Sequence, residues 1–433
     1  MKRILLLGAI LLPTLVSAQK RWTLQECVEQ GVKQNIALQR ADVGAQIQKQ
    51  QAYASKKSWM PRVQADVTGH LNLDMSTDLL MRQNFVYAPF GLSAEMPLDI
   101  TGQLRDQSKA DALELKALLA DREKAENELS LSICAAYLQA VYARNIHAIA
   151  QEEVKLAQER MELVKALVEE GARSEGEMIE ARSSLSEAEH NSLQSASAWE
   201  KARLSLAQML LIEDYEHFDL AELNEEHMPE GENNLQGAID YAQLNNAAVR
   251  SAQFRQEASD YDVKVAKSEL YPKLTLRSRL GAFAYTALKS EQTFPEYKNT
   301  WKNRNELFSV TLSIPVFNAF ATRSRIRQAE LKSVDTRLAA HEEWNALKHE
   351  IEQAYLTAQA SEKEYQSALN KVKDYTEAYE YQRNRYEDGL GTWLELREAD
   401  SRLQQAKYSA QQARFQCIMN QKILNFYKGE PIR

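Results

Sequence analysis

Two pairs of glutamates follow glycines at matched distances. Glu177 and Glu180 lie beyond Gly171, and Glu395 and Glu398 lie beyond Gly389, each counterpart 218 positions on. Residues three apart share one face of a helix. If several copies of the chain gather around one axis, these carboxylates line a constriction that attracts cations and answers to pH, as rings of Asp or Glu do in channels. The plainer reading is that acidic side chains favour the first turn of a helix, where the backbone dipole is positive. Under either reading Gly171 and Gly389 break helices, and the turns that follow are Ala172, Arg173 and Ser174 in one set and Leu390, Gly391 and Thr392 in the other.

Other chemistry is sparse. The seven histidines are scattered without a metal-ligand spacing, and no glycine loop is built to cradle a phosphate. His341 and His349 fall on a charge-rich helix and read as solvated surface. Met75 and Met81 lie in an expected external loop, where ordinary filling is the simpler account than soft-metal binding. The expectation is therefore no enzyme, no cofactor and no metal. The three cysteines, Cys27, Cys134 and Cys417, sit far apart in helical patterns and read as packed thiols. A net charge of −8 argues against a nucleic-acid partner.

The elements that must position the glutamates come in two copies of one plan. Leu24-Gln25 matches Leu235-Gln236, Asn35 matches Asn246, and Pro61 matches Pro272, all 211 apart. Met96-Pro97-Leu98 then matches Ile314-Pro315-Val316, and Arg105 matches Arg323, at 218. One change of offset marks a single insertion of seven residues between the two prolines, the place for a variable loop. Each copy reads as a helix of about 35 residues, two strands, a helix of about 70 residues, a glycine break and a returning helix of about 35. The seam Leu118, Ala125, Leu129, Ala136, Ala140, Ala143, Ala150, Val154, Ala157, Met161, Val164 and Val168 has coiled-coil spacing. Its helix, from about Thr101 to Glu169, would reach roughly 100 Å at about 1.5 Å per residue.

The strands are expected at about 62–73, 85–96, 273–284 and 307–315, because apolar and polar residues alternate there. Val63, Ala65 and Val67 oppose Gln64 and Asp66, and Phe308, Val310 and Leu312 oppose Ser309 and Thr311. Ten or so residues with one apolar and one polar face is what a tilted strand across a bilayer needs. Lys2 and Arg3 ahead of an apolar run over 4–16 that ends in Ser17-Ala18 has the layout of a secretory signal over 1–18, with Gln19 opening the mature chain. Four strands cannot close a barrel, and an open edge in lipid leaves backbone groups unpaired. Copies must pool their strands, and three copies would give twelve.

With the repeats, proline corners and glycine breaks in place, the chain resembles the TolC family of outer-membrane efflux channels across essentially its whole mature length. The resemblance implies a mainly α fold with a membrane β-barrel: each chain gives four transmembrane strands and long coiled-coil-like helices to a trimeric 12-stranded β-barrel continued by a periplasmic α-helical barrel. It also implies a homotrimer in outer-membrane lipid, working with a periplasmic adaptor protein and an inner-membrane pump as the exit duct of an efflux system. The tips Gly171 to Ser174 and Gly389 to Thr392 become candidate adaptor contacts, and Glu395 and Glu398 fall where the family tends to carry aspartates around the closed entrance. The expected organisation is repeat one over 19–212, an acidic linker over 213–234, repeat two over 235–428 and a tail over 429–433. Two other readings stay open on the sequence: a channel for one-step (type I) protein secretion, and an exported structural coiled coil.

Overall fold

The computed structural model of the protein describes residues 21–72, 85–222, 234–287 and 304–430. The expected signal, the start at Gln19, Met75 and Met81, half of the linker (223–233) and the last tail residues lie outside these. Two compact units result. One holds residues up to 39 with 124–245 and 346–433, and the other holds 40–123 with 246–345.

The second unit carries the sheet. Strands β2 (Arg62–Val67), β3 (His70–Asn72), β4 (Phe85–Leu98), β6 (Lys273–Ala287) and β7 (Asn305–Ser313) pair antiparallel in the order β2-β4-β6-β7, with β3 also on β4. Segments β2 and β3 are one strand in unbroken register, since Val67 faces Phe90 and His70 faces Tyr87. The break at Thr68 has a local cause. Thr68 N–H donates to the Pro89 carbonyl at 2.9 Å, but proline has no N–H to return the bond.

Register sorts the faces. Val63, Ala94, Ser278 and Phe308 stand side by side, as do Ala65, Leu92 and Leu280. The opposite face aligns Gln64 with Ser93 and Arg279, and Glu95 with Arg277. Those polar residues are linked: Ser93 Oγ donates to Asp66 Oδ2 at 2.8 Å, and Arg277 Nε meets Glu95 Oε2 at 3.3 Å. Ion pairs join the helices of this unit. Arg122 pairs with Asp42 at 3.0 Å, Arg250 with Glu123 at 3.1 Å, and Arg255 with Asp121.

The first unit is helical. Its core gathers Cys27, Ile133, Cys134, Tyr137, Leu138, Leu206, Leu210 and Phe218. Helix α3 (Gln103–Glu169) buries Ala143, Ala150, Ala157 and Val164, and helix α8 (Trp393–Tyr427) buries Leu396, Leu403, Ala410, Cys417 and Leu424. Both sets step by seven, the repeat that keeps one seam against a partner helix and winds the pair left-handed. Helices α4 (Glu175–Met209) and α7 (Ala321–Glu387) complete the two hairpins. All three cysteines are buried and none is in a disulfide, as packed thiols should be.

Two features depart from the sequence reading. The single helix of about 35 residues expected before each strand pair is two helices: α1 (Leu24–Gln34) then α2 (Ile36–Lys56), and α5 (Leu235–Asn245) then α6 (Ala247–Ser268). At each break an asparagine adopts extended backbone and caps the next helix. Asn35 Oδ1 accepts from Ala37 and Leu38 at 2.8 and 3.1 Å, and Asn246 Oδ1 from Ala248 and Val249 at 2.9 and 3.3 Å. The linker also starts with structure: β5 (Asp219–Leu220) pairs parallel to β1 (Arg21–Trp22). It is pinned to α3, where Tyr137 Oη donates to the Ala221 carbonyl at 3.0 Å and Arg144 to the Leu220 carbonyl at 2.7 Å. Among the described residues no helix is long and apolar enough to cross a membrane.

Candidate functional site

The two glycine breaks fold by the same hydrogen bonds. Helix α3 stops at Glu169, and Gly171 takes φ +73°, which lets Ala172 and Arg173 N–H reach back to the Leu167 carbonyl at 2.8 and 3.2 Å. Gly389 takes φ +76°, and Leu390 and Gly391 N–H reach the Arg385 carbonyl at 2.9 and 3.0 Å. A Cβ would meet nothing within 4 Å at either glycine, so the requirement is the left-handed backbone itself. Ser174 then caps α4 by accepting from Glu177 N–H at 3.4 Å, and Thr392 caps α8 by accepting from Glu395 N–H at 3.3 Å.

From that shared frame the four glutamates take different roles. Glu395 reaches back to accept from Thr392 N–H at 2.9 Å, which completes a capping box. That backbone bond holds its carboxyl below the ordinary glutamate range. Glu398 pairs with Arg402 at 2.6 Å one turn on, in solvent. Glu180 is exposed and has no partner among the described residues. Glu177 turns inward, away from any cap, and accepts from Tyr386 Oη at 3.0 Å.

Tyr386 is the hub that the sequence reading missed. It is 2% exposed near the end of α7, and it joins the α3–α4 tip to the second hairpin. Arg173 lies 4.3 Å over its ring, donates to its carbonyl at 2.9 Å and stands 3.8 Å from Glu177. Burial, then the bond to Glu177, pushes the Tyr386 hydroxyl up to about 12, so it stays a donor at any physiological pH. Trp393 packs edge-on against Tyr386 at 5.8 Å; its indole N–H is buried without a hydrogen-bond partner among the described residues. Val164, Ala181 and Leu396 close the cluster. The one sequence signal was Tyr386 itself, a hydroxyl on a seam position whose repeat partner is the plain aliphatic Val168.

A second polar layer lies further from the tip. Arg160 makes a two-pronged pair with Asp400, one prong at 2.8 Å, and donates to Tyr379 Oη at 3.0 Å. Tyr408 Oη donates to Glu153 Oε2 at 3.2 Å. Burial raises the Glu153 carboxyl above its ordinary range and the Tyr408 hydroxyl to about 12. Asp400, two residues beyond Glu398, was also passed over in the sequence. At the first tip itself, an open groove of about 290 Å³ between α3 and α4 has Val168, Met178 and Ile179 as its apolar walls and Lys165, Glu175 and Arg182 on its rim. The described residues hold no cluster of three or more His, Cys, Asp or Glu side chains arranged for a metal ion.

Paired hairpins locked at their tips, and a sheet with one apolar face, both have counterparts. The model of the outer membrane efflux protein family matches residues 28–210 and 238–429, the two repeats in turn. The pyoverdine export outer membrane protein OpmQ of Pseudomonas putida is 25% identical over 339 residues, covering 78% of this chain and 69% of that one. Among solved structures, the CusC transmembrane channel superposes with a TM-score of 0.82 at 16% identity, covering 94% of this chain and 92% of that one. The outer membrane protein VceC of Vibrio cholerae gives 0.81 at 17% identity, covering 95% and 97%. Long coiled-coil-like helices joined to antiparallel membrane strands are thus the fold of this chain as the sequence had indicated, and the chain belongs to the outer membrane efflux protein family.

Proposed function

We propose that three copies of this chain form a passive exit duct: a twelve-stranded barrel in the outer membrane continued by a helical tunnel in the periplasm, fed by an adaptor protein and an inner-membrane pump. The observation that carries this reading is the sheet. Its apolar face exposes Val63, Val67, Leu92, Phe308, Val310 and Leu312, and its end strands β2 and β7 have no further neighbour among the described residues. In hydrocarbon each unpaired backbone group costs several kcal/mol, so β2 of one copy must meet β7 of the next. The opposite face, with Asp66, Glu95, Arg277 and Arg279, suits a water-filled lumen.

The tips act as the gate and as the adaptor contact. Tyr386, Arg173 and Glu177 hold the two hairpins of each copy together, so opening requires parting them. Glu395 and Glu398 from three copies supply negative charge around the entrance, with Glu177 and Glu180 behind them. Leu390 is 72% exposed beside Gly389, Gly391 and Thr392, and it offers an apolar handle to an adaptor; Gly171, Ala172 and Ser174 offer the equivalent turn in the first repeat. Export by the OpmQ relative supports the duct reading. A photo-reactive side chain at Leu390 in cells tests it: covalent capture of a periplasmic adaptor is expected, and capture of none, with the protein in the outer membrane, would remove the tripartite assignment.

A further inference from the structure

We propose that the polar face of the sheet is an anion-selecting lumen, in which Arg279, reinforced by Arg62 and Lys273, favours solutes bearing carboxylate, sulfonate or phosphate groups. The inference rests on the water-filled barrel proposed above and adds the class of cargo that its wall prefers. Register fixes which charges share this face. Arg62, Glu95 and Arg277 stand in one row, Gln64, Ser93, Arg279 and Leu307 in the next, and Asp66, Gly91, Gly281 and Asn305 in a third. Lys273 lies on the same face of β6, four residues before Arg277. The face therefore sets four cations against the two acids Asp66 and Glu95, in a chain whose net charge is −8.

The two acids are engaged, and the excess cations are not. Glu95 Oε2 meets Arg277 Nε at 3.3 Å, and Asp66 Oδ2 accepts from Ser93 Oγ at 2.8 Å. Arg62, Lys273 and Arg279 are exposed and make no ion pair among the described residues. The row of Arg279 offers it an amide, a hydroxyl and an aliphatic side chain, so no charge within that row offsets the guanidinium. Comparison of the repeats shows where the excess arises. At the offset of 211, Asp66 and Thr68 correspond to Arg277 and Arg279, and at 218 Glu95 corresponds to Ser313. The second repeat has exchanged both acids and gained two arginines, so β6 and β7 carry cations and no acid on this face.

Packing makes the same face concave. Gly91 and Gly281 oppose each other on it, where a Cβ at Gly91 would lie 2.6 Å from the Leu280 carbonyl oxygen and one at Gly281 2.9 Å from the Phe90 carbonyl oxygen. Backbone crowding on one side of a sheet, admitted by glycine, bends the strands toward that side. Three copies closed around this face would gather twelve cations and six acids inside one wall. Rings of arginine and lysine attract anions in pores, and the guanidinium fork matches a carboxylate or a phosphate. A unit charge about 7 Å away in water changes the local concentration of a monovalent ion about threefold before salt screens it.

The test reads the charge beside Arg279 directly. Leu307, its exposed neighbour across β7, is changed to cysteine in the full-length protein held in uncharged phosphatidylcholine nanodiscs; the three native cysteines are buried. Two membrane-impermeant methanethiosulfonate reagents, one carrying a sulfonate and one a trimethylammonium, are compared at low salt, each rate divided by its rate with a free thiol. The sulfonate should react faster at position 307, Arg279→Gln should lower the sulfonate-to-ammonium ratio about threefold, and Arg279→Lys should keep it. A ratio of one or less, or one unmoved by Arg279→Gln, overturns the anion-selecting lumen. Val310→Cys on the apolar face separates that failure from failure of the barrel: reaction at 307 with protection at 310 leaves the barrel standing whatever the ratio. A cysteine at 307 sealed to both reagents, or one at 310 open to them, defeats the barrel reading itself.

Discussion

Tyr386→Phe is the most telling change at the tips, because it removes one oxygen and keeps the ring. The edge contact to Trp393 at 5.8 Å and the Arg173 stack at 4.3 Å both survive it. What is lost is the 3.0 Å bond to Glu177. A hydrogen bond to a charged group contributes about 1.5–3 kcal/mol. Glu177 is 25% exposed and keeps Arg173 at 3.8 Å, so water and the guanidinium replace part of the loss and the low end applies. About 1.5 kcal/mol per chain is roughly a tenfold shift toward parted hairpins. Three chains acting together would give on the order of a thousandfold. Single-channel recording in planar bilayers reads this directly: the variant should show longer and more frequent openings at unchanged thermal stability of the rest of the chain. Wild-type closed times in a folded Tyr386→Phe protein would refute the lock. Because burial keeps the hydroxyl protonated up to about 12, the closed state should not loosen through Tyr386 between neutral pH and about 11.

Three further outcomes follow from the same geometry. Glu395→Gln keeps the capping box, since glutamine can also reach Thr392 N–H, yet removes the charge; together with Glu398→Gln it should weaken cation preference in bilayer recordings, and unchanged selectivity would leave these residues as helix caps alone. Trp393→Phe should stay within about 1 kcal/mol of wild type in thermal unfolding, because losing packing is offset by relieving a buried N–H, whereas Trp393→Ala should cost about 3–5 kcal/mol; equal losses would mean the indole N–H has a partner. Burial raises the Glu153 carboxyl, so its ionised form opposes folding: its favourable contribution is full below the unfolded value near 4.5 and fades as pH rises through the folded one. Glu153→Gln should therefore stabilise the protein in pH-dependent unfolding at neutral pH, with the gain vanishing toward pH 4.

Local periodicity made much of this fold legible. The seven-residue seam of α3 and the alternation of β2 and β7 stand in the sequence because each is set by neighbours a few residues away. Gly171 and Gly389 were legible for the same reason, as was the Thr392-to-Glu395 spacing of a capping box. Asn35 and Asn246 were visible as repeat partners, but apolar residues on both sides kept a continuous helix plausible, and only the extended backbone at each asparagine separates them. The gap at Thr68 depends on Pro89 across the sheet, and β1 and β5 are two residues each, too short for any pattern. Tyr386 meets Glu177 over 209 positions of chain, so nothing near either residue announces the other.

Everything about the duct turns on strands that must be shared between copies. Native mass spectrometry of the protein extracted from outer membranes in mild detergent measures that sharing most directly. Three copies in one particle, released only by detergent and falling apart when the β2 edge is blocked by a proline at Val63, is the expected result. A monomer that leaves the membrane fraction in salt alone would contradict it.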